Sequence, residues 1–244
     1  MNTESSVPRL QDLRIKIFSD GADLDSIIDA YNKGAVKGFT TNPTLMCKAG
    51  ITNYMAFAAE VLRVVKDLSV SFEVFSDDFP TMREQALKLA ELADNVYVKI
   101  PVTNTKRESA APLIKELAGR GLKLNVTAIL SLRQVRDVAA ALNPAVPAIV
   151  SVFAGRIADS GRDPLPIMKE SLEILKPLPK AELLWASPRE ALNIIQADAM
   201  GCHIITVTPD LLAKAKNFAK DLEDFSLDTV KMFYNDAVKS GFKI

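Results

Sequence analysis

The sequence predicts an α/β fold, a (β/α)8 TIM barrel with an additional C-terminal helix, and three observations carry that expectation. Eight short β-branched or apolar runs recur along the 244 residues, each followed by a polar turn and a longer segment of helical periodicity. The spacing is roughly 30 residues per unit, the size of a βαβ repeat. The total length also suits a barrel of this kind, typically ~250 residues. A doubly wound open sheet is the alternative. Such a sheet usually carries a Gly-rich phosphate turn after its first strand, and Ser19-Asp20-Gly21-Ala22-Asp23 is not G-x-G-x-x-G.

The strands are expected, in order, at Leu13–Phe18, Ala35–Phe39, Val70–Phe75 and Asn95–Ile100, then at Leu122–Thr127, Ala148–Phe153, Glu182–Ala186 and His203–Val207. Between them Tyr54–Lys66, Met82–Leu92, Ser109–Arg120, Leu132–Leu142 and Pro164–Leu175 carry apolar residues three and four apart, the mark of amphipathic helices. Gly34, Gly121 and Gly201 each follow a helical run and precede a strand, as helix stops do. No linker or low-complexity tract divides the chain, so residues 1–244 read as one domain. Ser226–Gly241 lies beyond the eighth unit and reads as one more amphipathic helix, with a Ser N-cap and a Gly stop. It either caps the barrel or packs on a neighbouring subunit.

Composition excludes several classes of function. Thirty Lys+Arg balance thirty Asp+Glu, so there is no general attraction to a phosphate backbone or an anionic membrane, and neither is expected as a partner. The single histidine, His203, excludes a site built on two His ligands. It lies in an apolar strand-like run and is read as structural. Cys47 and Cys202 form no C-x-x-C pattern and suggest neither a zinc site nor a disulfide framework. The first residues lack the basic-then-apolar layout of a signal peptide, and no apolar run approaches ~18 residues. A reducing, cytoplasmic setting is expected.

In such a barrel the chemistry sits at the C-terminal ends of the strands. Polar residues stand at nearly every one: Asp20, Thr40-Thr41-Asn42, Glu73, Lys99, Asn125 with Thr127, Ser151, and Ser187 with Arg189. Lys99 interrupts Val96-Tyr97-Val98-Lys99-Ile100-Pro101, and barrel strands are covered on both faces. Burial disfavours the charged form of an amine, and a neutral amine is a nucleophile toward a carbonyl. Lys99 is therefore either a Schiff-base nucleophile, a lysine that snorkels to the barrel mouth, or a structural partner of Glu73 or Asp20. The carboxylates around it favour catalysis, because an imine forms and breaks only with groups that shuttle protons.

Other positions have bland readings beside the functional one. Asp20 and Asn42 lie in turn-rich segments and suit caps and turns equally. Glu73 is an acid within an apolar strand, rarely buried without a partner. Asn125 and Thr127 alternate along a strand and point to the same side. Arg156 and Arg189 follow late strands, where barrels often bind phosphate, or else they pair with surface acids. Arg162 is read as such a surface residue.

The succession of Asp20, Thr-Thr-Asn-Pro (40–43), Glu73, Val-Lys-Ile-Pro (98–101), Asn125-Val126-Thr127, Phe153-Ala154-Gly155-Arg156 and Ala186-Ser187-Pro188-Arg189 resembles the transaldolase family. That family includes small transaldolases and the related fructose 6-phosphate aldolases, and the likeness runs from about Ile15 to Leu212. It implies a class I enzyme of carbohydrate metabolism, such as the pentose phosphate pathway. Such an enzyme moves a dihydroxyacetone unit from a ketose phosphate to an aldose phosphate and needs no metal or organic cofactor. By resemblance Lys99 forms the imine and Asp20 takes the C4 hydroxyl proton. Glu73 and Thr127 hold a proton-relaying water. Asn42, Asn125 and Ser151 bind the dihydroxyacetone hydroxyls, while Arg156, Ser187 and Arg189 receive the phosphate.

Glu73 and Phe153 are of the transaldolase type, since aldolase members resembling this chain carry glutamine and tyrosine there. The alternatives are an aldolase releasing free dihydroxyacetone, or a non-catalytic sugar-phosphate-binding barrel. The chain departs from the pattern at Pro188, where phenylalanine is usual, at Gly21, and at Trp185, a bulky residue expected just below the arginines. The small size is similar to that of subfamily members assembled as pentamers and decamers, which makes the last helix an expected contact in a homo-oligomer.

Overall fold

The computed structural model describes residues 7–243, so the N-terminal stretch read for a leader lies largely outside the described residues. The first half runs β1 (Lys16–Asp20), α1 (Leu24–Asn32), β2 (Gly38–Thr40), α2 (Pro43–Lys48), α3 (Tyr54–Val64), β3 (Ser69–Glu73), α4 (Phe79–Ala90), β4 (Val96–Pro101) and α5 (Ala111–Gly119). The second half runs β5 (Leu124–Ile129), α6 (Leu132–Ala141), β6 (Ala148–Val152), α7 (Ala154–Asp159), α8 (Leu165–Leu175), β7 (Ala181–Trp185), α9 (Leu192–Ala199), β8 (Ile204–Val207), α10 (Pro209–Lys214) and α11 (Leu222–Ser240). The eight strands close in chain order into one parallel barrel, β1 pairing with both β2 and β8.

Period-two alternation sorts the side chains onto two faces. The outward set, including Val70, Phe72, Val98, Ile100, Val126 and Val150, joins the core between sheet and helices. The inward set is mostly polar at the C-terminal ends and apolar lower down. There Phe18, Ile149, Leu184, Ala186 and Ile204 pack together, with Tyr97 and Phe153 against them. Gly38 makes room for this plug, because a Cβ there would lie 2.5 Å from the Phe18 ring. Below the plug Lys16 and Glu182 pair at 2.8 Å. His203 immediately precedes β8 at that same end, its Nδ1 accepting the Leu183 N–H at 2.9 Å, which is a structural use of the ring.

Several element ends differ from expectation. The first strand starts at Lys16 and not Leu13, because the Asp198 carboxylate takes the Arg14 and Ile15 N–H groups before a ladder begins. The second is confined to Gly38–Thr40. The three expected helix-stop glycines all take left-handed φ. The last helix begins five residues earlier than expected: its N-cap is Asp221, whose carboxylate accepts from the Glu223 and Asp224 N–H groups, and Ser226 lies inside it. Such a cap contributes about 1 kcal/mol. No residue of α11 is buried, and Phe225, Val230, Met232, Phe233 and Tyr234 are exposed along it. Trp185 joins the core between sheet and helices with Leu183. No helix among the described residues is long and apolar enough to cross a membrane.

Candidate active site

The C-terminal strand ends enclose a cavity of about 510 Å³, and every expected site residue lines it: Asp20, Asn42, Glu73, Lys99, Asn125, Thr127, Ser151, Phe153, Arg156, Ser187 and Arg189. Lys99 projects inward from β4 while Val98 and Ile100 face out, and only 6% of it is exposed. Its Nζ donates to the Thr41 carbonyl at 2.8 Å and lies 3.2 Å from Glu73 Oε2. Glu73 and Lys99 are register partners across β3 and β4, so the pleat alone brings acid and amine side by side. Removing one partner of so buried a pair costs about 3–5 kcal/mol, because the other charge is stranded.

Asp20 ends β1 on the same cavity. Thr40 donates to its Oδ1 at 2.8 Å, and the Thr40 and Thr206 hydroxyls meet at 2.5 Å. Burial pushes the Asp20 carboxyl above its ordinary range, while the Lys99 charge and the Thr40 hydrogen bond pull the other way. Asn125, fully buried, donates to Ser71 Oγ at 3.0 Å and accepts from Ser151 Oγ at 2.7 Å, a relay that fixes which end of its amide faces which wall. Thr127 stands at an irregularity of β5, where the register shifts between Val126 and Ile129 and Ala128 takes φ 60°. Asn42 is a helix cap at the edge of the cavity. Its Oδ1 caps α2 by accepting the Leu45 N–H at 3.0 Å, and its Nδ2 has no protein partner among the described residues.

The opposite wall is built differently. Arg156 belongs to the short helix α7 and not to a loop, and Arg189 follows β7. Gly155 lets them approach: a Cβ there would sit 1.5 Å from the Ser187 carbonyl oxygen. Ser187 itself takes φ 60°, the turn that brings Pro188 and Arg189 over the cavity. Arg189 is held by both oxygens of Asp159, with Nε to Oδ1 at 3.0 Å. The hydrogen bonds from Arg189 hold the Asp159 carboxyl below its ordinary range, against the opposing effect of desolvation.

A family model described as transaldolase/fructose-6-phosphate aldolase matches residues 17–244. The chain belongs to that family. A probable transaldolase of Nitrosopumilus maritimus is 34% identical over 86% of this chain and 95% of its own length. Probable transaldolases of a Thermoanaerobacter species and of Parvibaculum lavamentivorans are 33% and 35% identical, each over 94% of this chain and 100% of their own.

In this transaldolase-family barrel, sequence reasoning gave no role to Thr40, Ser71, Thr206, Tyr54 or Asp159. Ser71 and Thr206 have a signal in strand parity, each standing two residues from an inward-facing position, Glu73 and Ile204. Asp159 lies three residues after Arg156, one turn along α7. Tyr54 is different. Its hydroxyl donates to the Glu73 carbonyl at 2.8 Å and accepts the Glu73 N–H at 2.7 Å, a contact between the start of one helix and the end of the next strand that neither helical nor strand periodicity announces. Burial pushes this phenol above its ordinary range, so it keeps its proton and can donate.

Proposed function

We propose that the chain is a class I transaldolase that transfers a dihydroxyacetone unit from a ketose phosphate, such as fructose 6-phosphate, to an aldose phosphate. The observation that carries this reading is the Lys99 amine, buried at the base of the cavity beside Glu73, with Asp20 on the same cavity. Lys99 attacks the C2 carbonyl, forming a carbinolamine that loses water to give an imine. The imine withdraws electrons from the C3–C4 bond while Asp20 accepts the C4 hydroxyl proton. That bond breaks and an aldehyde leaves. The three-carbon enamine on Lys99 then attacks the carbonyl of a second aldehyde, Asp20 returns its proton, and hydrolysis of the new imine frees the amine. Glu73 and Thr127 hold the water exchanged in imine formation and hydrolysis. Asn42, Asn125 and Ser151 bind the dihydroxyacetone hydroxyls, and Arg156, Ser187 and Arg189 receive the phosphate.

Phe153 bears on the fate of the enamine. It lines the cavity as an apolar ring and presents no hydroxyl to protonate the enamine carbon, which favours transfer over release. The exposed apolar residues of α11 support a homo-oligomer with this helix at the contact, and the pentamer or decamer rests on the family resemblance. The same reading places the enzyme in the cytoplasm, in the pentose phosphate pathway.

Borohydride reduction with a panel of ketose phosphates, followed by peptide mass analysis, tests the imine: an adduct on Lys99 is expected, and its absence with every sugar overturns the mechanism in favour of a non-catalytic barrel. A coupled assay tests the transfer. Product from fructose 6-phosphate should require erythrose 4-phosphate; cleavage at a similar rate without acceptor would make the protein an aldolase.

A further inference from the structure

We infer that Tyr54 is a positioning residue for the reaction. It takes the hydrogen-bonding places that β2 vacates on the edge of β3, and so holds Glu73 and leaves the Thr41 carbonyl free for Lys99. The inference rests on the Schiff-base reading above. In β2 and β3, Thr40 is opposite Ser71, which puts Thr41 opposite Phe72. A parallel ladder bonds each such residue to the two neighbours of its partner. The first of those bonds exists, Thr41 N–H to the Ser71 carbonyl at 3.2 Å. Continuation would give the second, Glu73 N–H to the Thr41 carbonyl, and then the N–H of residue 43 to the Glu73 carbonyl.

Neither follows. Residue 43 is Pro43 and has no N–H, and the chain has already turned away, with Asn42 capping α2. Two backbone groups of Glu73 would thus be left without partners beside a largely buried site. The Tyr54 hydroxyl satisfies both, accepting the N–H at 2.7 Å and donating to the carbonyl at 2.8 Å. Its ring is fixed edge-on to Phe72 and Phe75, with centroids 6.2 and 5.2 Å away. The Thr41 carbonyl, released from the ladder, accepts instead from Lys99 Nζ at 2.8 Å. One phenol therefore sets the backbone of the acid and frees the oxygen that aims the amine. This also assigns a physical task to the proline of Thr-Thr-Asn-Pro: lacking an N–H, it leaves the Glu73 carbonyl to the Tyr54 hydroxyl.

The test is Tyr54→Phe in the full chain, which keeps the ring packing and removes only the hydroxyl. The wild type is first reduced with borohydride in the presence of a ketose phosphate. No adduct on wild-type Lys99 would sink the Schiff-base reading and this inference with it. Given an adduct, Tyr54→Phe should lower kcat by about 10- to 100-fold, the scale of a small misplacement of reacting groups. The trapping rate should fall in parallel, and KM should stay within about threefold, since no sugar-binding group is removed. A folded variant with kcat and trapping rate within twofold of wild type overturns the inference and leaves the imine mechanism standing, and a rise in KM at unchanged kcat does the same. A second measurement needs no variant. In wild-type protein the Glu73 amide should resist hydrogen exchange as well as the Val74 amide, which donates to the Lys99 carbonyl at 3.1 Å; fast exchange at Glu73 alone shows that the clamp does not hold.

Discussion

The two walls of the cavity are built on opposite principles. The wall from β1 to β5 carries Asp20, Glu73, Lys99, Asn125 and Thr127 on strands, with Lys99, Asn125 and Thr127 buried. Its polar atoms are mostly committed to neighbours at ordinary hydrogen-bond distance, from Lys99–Thr41 and Thr40–Asp20 to Asn125–Ser71. The wall after β6 and β7 carries Arg156, Ser187 and Arg189 on a short helix and a turn, and the Arg189 side chain is 45% exposed. Asp159 is its main restraint. Bond-making needs groups held within fractions of an ångström, whereas a charged ligand end tolerates a solvated fork that closes on arrival.

That contrast is open to test by breaking each wall in turn, the largest effects falling on the first. Lys99→Met should lower kcat by roughly 10⁵-fold or more and abolish the borohydride adduct. It should also lower Tm, because Glu73 is left without its partner at 17% side-chain exposure. Asp20→Asn should lower kcat by about 10²- to 10⁴-fold with little change in KM, as removal of a proton acceptor does. If KM rises instead and kcat holds, Asp20 binds sugar and does not move protons.

On the second wall the signature reverses. Arg189→Ala should raise KM for a phosphorylated donor by about 10- to 100-fold, from the loss of charge-assisted hydrogen bonds of roughly 1.5–3 kcal/mol. Its kcat should stay near wild type, and unphosphorylated dihydroxyacetone should be handled as before. An equal loss for both substrates would erase the distinction between the walls. The smallest effect is one of pH. Burial raises the Asp20 carboxyl, so the acid limb of kcat/KM should lie above the ordinary carboxylate range, activity falling as Asp20 gains its proton. Thr40 donates to that carboxylate and lowers its pKa, so Thr40→Val should move the limb to still higher pH. A limb that stays put separates Thr40 from the titration.

The same contrast governs what could be read without coordinates. The first wall was legible because a charged or amide side chain inside an apolar strand, as at Glu73, Lys99 and Asn125, has few places to go, and strand parity tells which face it takes. The barrel itself was legible from the repeat of strand and helix. The second wall was legible as residues but not as structure. Arg156 was expected only to follow a late strand and lies in α7, and the clamp of Asp159 on Arg189 joins two segments with no shared periodicity. Strand ends failed where a side chain replaces a ladder partner, as Asp198 does before β1 and Tyr54 does at Glu73, where β3 stops short of the expected Phe75.

The Phe18 ring, seated against Gly38 in the barrel's apolar waist, makes the site a room with one door. Under the proposed chemistry, water, donor and acceptor would all arrive at the C-terminal mouth above this waist. Under the proposed chemistry, an acceptor sugar standing there is also the stopper that keeps solvent from the waiting three-carbon fragment. Whether that fragment is handed on or lost then depends on how long the doorway is occupied, and not on any second gate below.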